Sequence, residues 1–187
     1  MIDFPKIIVE QLANNREDLQ ESYFNKNKFT STKHFVLDNV LPVDIVTKLF
    51  ESFSSLDTYN TQDSFRQKKL TFAKLDQLQS NLPSLITDAF QSREVIDEIE
   101  KITGINDLEG DPSLYAGGIS RMDKGHFLNP HIDNSHDANR SRYRRLNILF
   151  YVVEANSKFF NYDCITLYRH TLGLSVHPRY IYSFNHN

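Results

Sequence analysis

At Gly110 the hydrophobic pattern of the chain changes period, and that change constrains the fold more than any other feature. Upstream, apolar residues recur at helical spacing. Ile45, Val46, Leu49, Phe50 and Phe53 define one amphipathic helix, with Pro42 suited to its first position because a missing N–H costs nothing there. Leu82, Leu85, Ile86, Ala89 and Phe90 define a second helix that opens at Pro83, and a third runs from Ser92 to Thr103, stopped by Gly104. Downstream, Leu114 to Arg121, Phe127 to Asp133 and Arg145 to Val153 are short aromatic and aliphatic segments between turn-like clusters, which is the pattern of strands. Helices followed by strands predict an α+β domain whose helices back one face of an antiparallel sheet.

The ends read differently. His34 to Asp38 predicts a short strand leading to a turn at Pro42, whereas the polar stretch from Asn14 to Thr32 predicts a surface helix and loop. Residues 1–33 therefore form a helical and loop extension, and residues 34–187 the main domain. Ile7, Ile8 and Val9 are too short an apolar run for a signal segment, and no run is long enough to span a membrane. One cysteine, Cys164, permits neither an internal disulfide nor a thiolate zinc cluster, so a cytoplasmic setting is expected and no catalytic role is assigned to that thiol. A net charge of -3 supplies no general attraction to phosphate backbones, and Arg140, Arg142, Arg144 and Arg145 read as a solvated loop and strand entrance. Neither nucleic acid nor a membrane is an expected partner.

Chemistry concentrates in one place. His126, His131 and His136 fall within eleven residues, interleaved with Asp123, Asp133 and Asp137. In His131-Ile-Asp133 the two polar residues are two apart on a predicted strand, so they share a face at roughly 6.5 Å along the backbone. An imidazole and a carboxylate so placed suit a facial triad of two histidines and one carboxylate around Fe(II), which leaves coordination positions open. His126 lies at an odd offset from His131 and His136 sits in a loop, so both stay outside this site. A zinc centre built from His126, His131 and His136 is the competing metal reading.

His-x-Asp alone is a weak signal, but its setting is specific. Gly125-His-Phe-Leu-Asn-Pro-His-Ile-Asp-Asn-Ser-His136, followed by Tyr143-Arg-Arg-Leu-Asn-Ile-Leu-Phe-Tyr-Val152, closely resembles the prolyl-4-hydroxylase-like branch of the 2-oxoglutarate/Fe(II) oxygenases. The likeness extends back through Leu114-Tyr-Ala-Gly-Gly118 to Asp38-Asn-Val-Leu-Pro42, covering most of residues 34–152. It implies N-terminal helices packed on a double-stranded β-helix, or jelly roll, with His131 and Asp133 as metal ligands. It further implies a dioxygenase that uses Fe(II), 2-oxoglutarate and O2, with ascorbate as an accessory reductant, to hydroxylate a C–H bond of a peptidyl-prolyl or other small substrate.

Within that likeness the strand from Arg145 to Val153 lines the pocket. Tyr151 is either a cofactor-binding contact to 2-oxoglutarate or a core aromatic with its hydroxyl satisfied, and Asn147 faces the same way under strand alternation. From 153 to 187 the family pattern is broken. His170, His177 and His186 are candidates for the distal ligand, and Arg179 for the cation that clamps 2-oxoglutarate. His170 and Arg179 have the family spacing, but too little chain separates His170 from Val153 for the intervening strands, so no pair meets both conditions. A divergent or truncated tail, and with it a catalytically weak or inactive remnant acting as a binding module, is the alternative expectation. Oligomeric state is not legible.

Overall fold

A computed structural model describes residues 2–25, 32–54, 56, 58–111, 113–114, 117–131, 135–152 and 163–169, the last stretch through its backbone pairing. The chain begins with two helices, α1 (Phe4–Asn14) and α2 (Arg16–Phe24). The Asp3 carboxylate accepts a hydrogen bond from the Lys6 backbone N–H at 3.1 Å, and Pro5 occupies the first turn, where no N–H is required. Phe4, Ile8 and Leu12, spaced by four, are buried. The polar stretch read as a surface helix carries a second buried pair, Leu19 and Tyr23, at 4% and 1% exposure. Two apolar residues among so many polar ones leave little amphipathic signal, yet spaced by four they suffice to dock the helix.

Strand β1 (His34–Asp38) leads into α3 (Val43–Ser54). The Pro42 carbonyl accepts from the N–H groups of Ile45 and Val46 at 2.9 and 3.1 Å, so Pro42 sits just before the helix, one place earlier than its composition suggests. Helices α4 (Leu82–Phe90) and α5 (Arg93–Thr103) follow the expected pattern, except that Leu85 is exposed while Ile86, Ala89 and Phe90 are buried. Ser92 caps α5 by accepting from the Val95 N–H, and Gly104 ends it in the left-handed region at φ +66°, which a residue without Cβ adopts at little cost.

The strands form two antiparallel sheets. In the first, β7 (Asp163–Arg169) lies between β1 and β6 (Leu146–Val152). Leu167 stands opposite Phe35 on one side and Ile148 on the other. Alternate residues of β6 (Leu146, Ile148, Phe150 and Val152) pack against the helical core, with the rings of Phe150 and Phe90 5.2 Å apart. Helix α3 lies against β6, α2 against β1, and α1 against α4 and α5. Helices thus back an antiparallel sheet, as the change of period predicts, although strands and helices interleave along the chain.

The second sheet has β3 (Gln67–Phe72) at its centre, with β2 (Asn60–Asp63) on one edge and both β4 (Ile119–Arg121) and β5 (Phe127–Leu128) on the other. The β2–β3 hairpin has no counterpart in the sequence reading, because Asn60-Thr-Gln-Asp63 is exposed throughout and carries no apolar alternation. Strand β4 is shorter than expected. It approaches β3 so closely that a Cβ on Gly118, at φ +120°, would lie 2.7 Å from the Phe72 carbonyl oxygen. Arg121 is opposite Leu70 and Phe127 is opposite Lys68, so residues 122–126 loop out across from the single residue Lys69.

One buried charge ties the first helices to α5. Glu98, 2% exposed, accepts from Arg16 Nε at 2.5 Å and from Lys101 Nζ at 3.0 Å. Burial pushes its carboxyl up, but the hydrogen bonds and charges of Arg16 and Lys101 prevail and hold it below the ordinary glutamate value of 4.5. A carboxylate depressed on folding contributes stability above the ordinary value and loses it as pH falls through the folded one. Arg16→Met should therefore lower Tm at pH 7, with the gap to wild type closing on acidification below pH 4.5 in thermal melts. Leu167→Pro removes a ladder donor from the central strand of the first sheet and should destabilise the protein by at least about 2 kcal/mol in urea unfolding.

Candidate metal centre

The segment that carries His131 leaves β5 at Asn129 and passes through Pro130, whose missing N–H ends the strand short of its expected length. His131 is half-buried, and its Nδ1 lies 2.9 Å from the Asn129 carbonyl oxygen. A carbonyl only accepts, so Nδ1 carries the hydrogen, and in a neutral ring the lone pair then belongs to Nε2. This is the tautomer that a metal-ligating imidazole needs, with its other nitrogen donating to the backbone. His34 makes the same kind of bond to the Thr32 carbonyl at 2.9 Å, but from a buried position in β1, so the tautomer defines a site only with the setting of His131. Asp133, the second ligand of the sequence reading, lies outside the described residues, as do His170, His177, Arg179 and His186.

The other histidines of the cluster have local structural work. His126 Nδ1 accepts from the Asp123 backbone N–H at 3.0 Å while the His126 backbone N–H donates to the Asp123 carbonyl at 2.9 Å, closing the excursion between β4 and β5. Arg121 Nε donates to the Asp123 carboxylate at 2.9 Å. His136 pairs with Tyr143 across a short hairpin, their rings 4.4 Å apart, and its Nδ1 is 2.7 Å from Ser135 Oγ. In the same turn the Asp137 carboxylate accepts from the Ser141 hydroxyl and from the N–H groups of Ser141 and Arg142. The Ser141 side-chain bond is the largest of the influences holding Asp137 below its usual value. Among the described residues no group of three or more His, Cys, Asp or Glu side chains could hold a metal, so the zinc reading has no cluster there.

Strand β6 sorts its residues as alternation predicts. Leu146, Ile148, Phe150 and Val152 meet the helices, which puts Asn147 and Tyr151, both half-buried, on the opposite face. Of the four arginines, Arg142 pairs with Glu109 at 2.5 Å across exposed surface, and Arg140 and Arg145 are exposed. Cys164 lies in β7, opposite Asp38 and Tyr151.

Sequence reasoning missed a polar group on the second sheet. The Arg121 guanidinium lies 5.8 Å from the centre of the Tyr59 ring, and the Tyr59 hydroxyl donates to the Phe53 carbonyl at 2.7 Å. Burial raises the Tyr59 pKa, with the neighbouring Arg121 acting against it. No spacing could have announced this pair, because its members are some sixty residues apart and meet only through the β3–β4 register.

Comparison of the chain with protein-family models, curated proteins and solved structures finds no match. Among the described residues no helix is long and apolar enough to cross a membrane. Because His126 is held in its own turn, His126→Ala should cost about 1 kcal/mol of stability in urea unfolding for the lost turn bond.

Proposed function

We propose that the chain is a 2-oxoglutarate- and Fe(II)-dependent dioxygenase of the prolyl-4-hydroxylase-like kind, hydroxylating a C–H bond of a peptidyl-prolyl or other small substrate. Its two antiparallel sheets are, on this reading, the halves of a double-stranded β-helix. The observation that carries the proposal is His131: its Nδ1–H is engaged by the Asn129 carbonyl, the backbone bond that a metal-ligating imidazole makes with its other nitrogen, two residues before a carboxylate. The division of β6 into a helix-facing apolar row and an opposite face bearing Asn147 and Tyr151 supports it.

The ligand types fit Fe(II): a neutral imidazole and a carboxylate suit the metal and leave positions for exchangeable partners. When bound, the metal supplies the redox chemistry by which O2 and 2-oxoglutarate give succinate, CO2 and the hydroxylated product. The protein's part is binding and orientation. His131 and Asp133 hold the ion, the Tyr151 hydroxyl donates to a carboxylate of 2-oxoglutarate, and Asn147 borders the same pocket.

His131→Ala and Asp133→Ala should each weaken anaerobic Fe(II) binding beyond the ~10–100-fold that follows loss of an outer partner. Both should abolish succinate formation with Fe(II), ascorbate and excess 2-oxoglutarate. Tyr151→Phe should raise the KM for 2-oxoglutarate about tenfold, the lower range for a hydrogen bond to a charged group, while leaving Fe(II) affinity intact. Wild-type protein that does not bind Fe(II), or variants that bind it equally, would overturn the assignment. Fe(II) binding without turnover would reduce it to the binding-module alternative.

A further inference from the structure

Asn129 makes three backbone-directed contacts that join two parts of the second sheet to the ring of His131. Its side-chain Nδ2 donates to the Phe65 carbonyl at 2.9 Å and its backbone N–H to the Arg66 carbonyl at 2.9 Å. Its own carbonyl accepts from His131 Nδ1 at 2.9 Å. Phe65 and Arg66 form the tip of the β2–β3 hairpin, which is closed by the Ser64 N–H donating to the Gln67 carbonyl at 2.9 Å. The tip is therefore bound to the segment that carries His131 by a donor pair on one residue, and that residue's backbone carbonyl is the acceptor that sets the ring.

We propose that Asn129 is a positioning residue: by clamping the β2–β3 tip with its amide and its N–H, it fixes the direction of its carbonyl and so holds His131 in the Nδ1–H tautomer. The role of the ring as a metal ligand is taken from the reading above; the clamp itself is not. A planar peptide cannot reorient its carbonyl without moving the N–H of the following residue, but Asn129 precedes Pro130, which has none, so no hydrogen bond on that side restrains the plane. The restraint must come from the Asn129 side, and the two bonds to the hairpin supply it. Phe65 is 82% exposed and Arg66 stacks on its ring at 5.3 Å, so their side chains contribute no packing that could hold the tip in place of those bonds.

The test uses metal-free, 15N-labelled full-length protein, with the tautomer of each histidine read from its ring nitrogen shifts and couplings. Wild type should show His131 as Nδ1–H. Asn129→Ala deletes the donor, and Asn129→Asp replaces it with an acceptor facing the Phe65 carbonyl; each should shift the His131 tautomer ratio toward Nε2–H by about tenfold. Asn129→Gln, which retains an amide donor, should recover part of that shift. Phe65→Ala should leave the ratio unaltered, because only the Phe65 backbone oxygen takes part. His34, with its own Nδ1–H bond to Thr32, is an internal reference in the same spectra and should stay constant. An unchanged His131 ring in both Asn129→Ala and Asn129→Asp would overturn the proposal, as would parallel changes at His34 and His131, which would mark a general loosening of the fold. Mn(II) affinity of the same variants gives a second readout, expected to fall ~10-fold or more with the tautomer shift. Should wild type bind no metal while the tautomer responds as described, the clamp stands and the oxygenase reading falls.

Discussion

The pairing of β7 between β1 and β6 is the constraint on which the rest of the structure depends. Strands from the beginning and the later part of the chain become neighbours only because β7 hydrogen-bonds to both. Remove it and β1 and β6 each present a row of unpaired backbone groups. The apolar stripes of α2 and α3 would then face two separate ribbons instead of one continuous surface, and a helix stripe is stable only against such a surface. Helices α1, α4 and α5 complete the layer, and the buried Glu98, bonded to Arg16 of α2 and to Lys101 of its own helix, joins α2 to α5.

The parts of this fold that could be read from the residues are those whose signal is local. Helices α3, α4 and α5 declare themselves by apolar spacing, by Pro42 and Pro83 at their starts and by Gly104 at an end. Strand β6 declares itself by an aliphatic and aromatic run whose alternation also assigns Asn147 and Tyr151 to one face. The unread parts depend on distant partners. Strand β2 is polar along its length and exists because β3 pairs with it. The segment that forms β7 resembles no family pattern, yet its backbone completes a sheet, since antiparallel pairing is made by N–H and C=O groups that every residue except proline possesses.

At the candidate site the same division holds. The identity of His131 and its relation to Asp133 are matters of spacing, but the protonated nitrogen of the ring is decided by a carbonyl two residues earlier, whose direction depends on a hairpin more than sixty residues upstream. Histidine and aspartate are dense between Asp123 and Asp137, but the offsets that leave His126 and His136 outside the site agree with the turn roles they have in the structure. His126 with Asp123, and His136 with Tyr143 and Ser135, spend their polar atoms on turns. Polar residues near a strand end serve loop closure as readily as coordination, and composition cannot separate the two uses.

The excursion of residues 122–126 beside β3 has a consequence for how this edge of the protein can vary. Pairing register is set independently on its two sides, by Arg121 opposite Leu70 and by Phe127 opposite Lys68. Added or deleted residues at its apex are therefore absorbed without sliding either strand and without turning a side chain to the wrong face. At that apex Gly125 has open space around it, but its φ of +83° lies in the left-handed region, so the turn holds this one position to glycine. Variation in this loop is therefore confined to residues added within the Asp123–His126 closure, while the strands that flank it, and the path on to His131, keep their places.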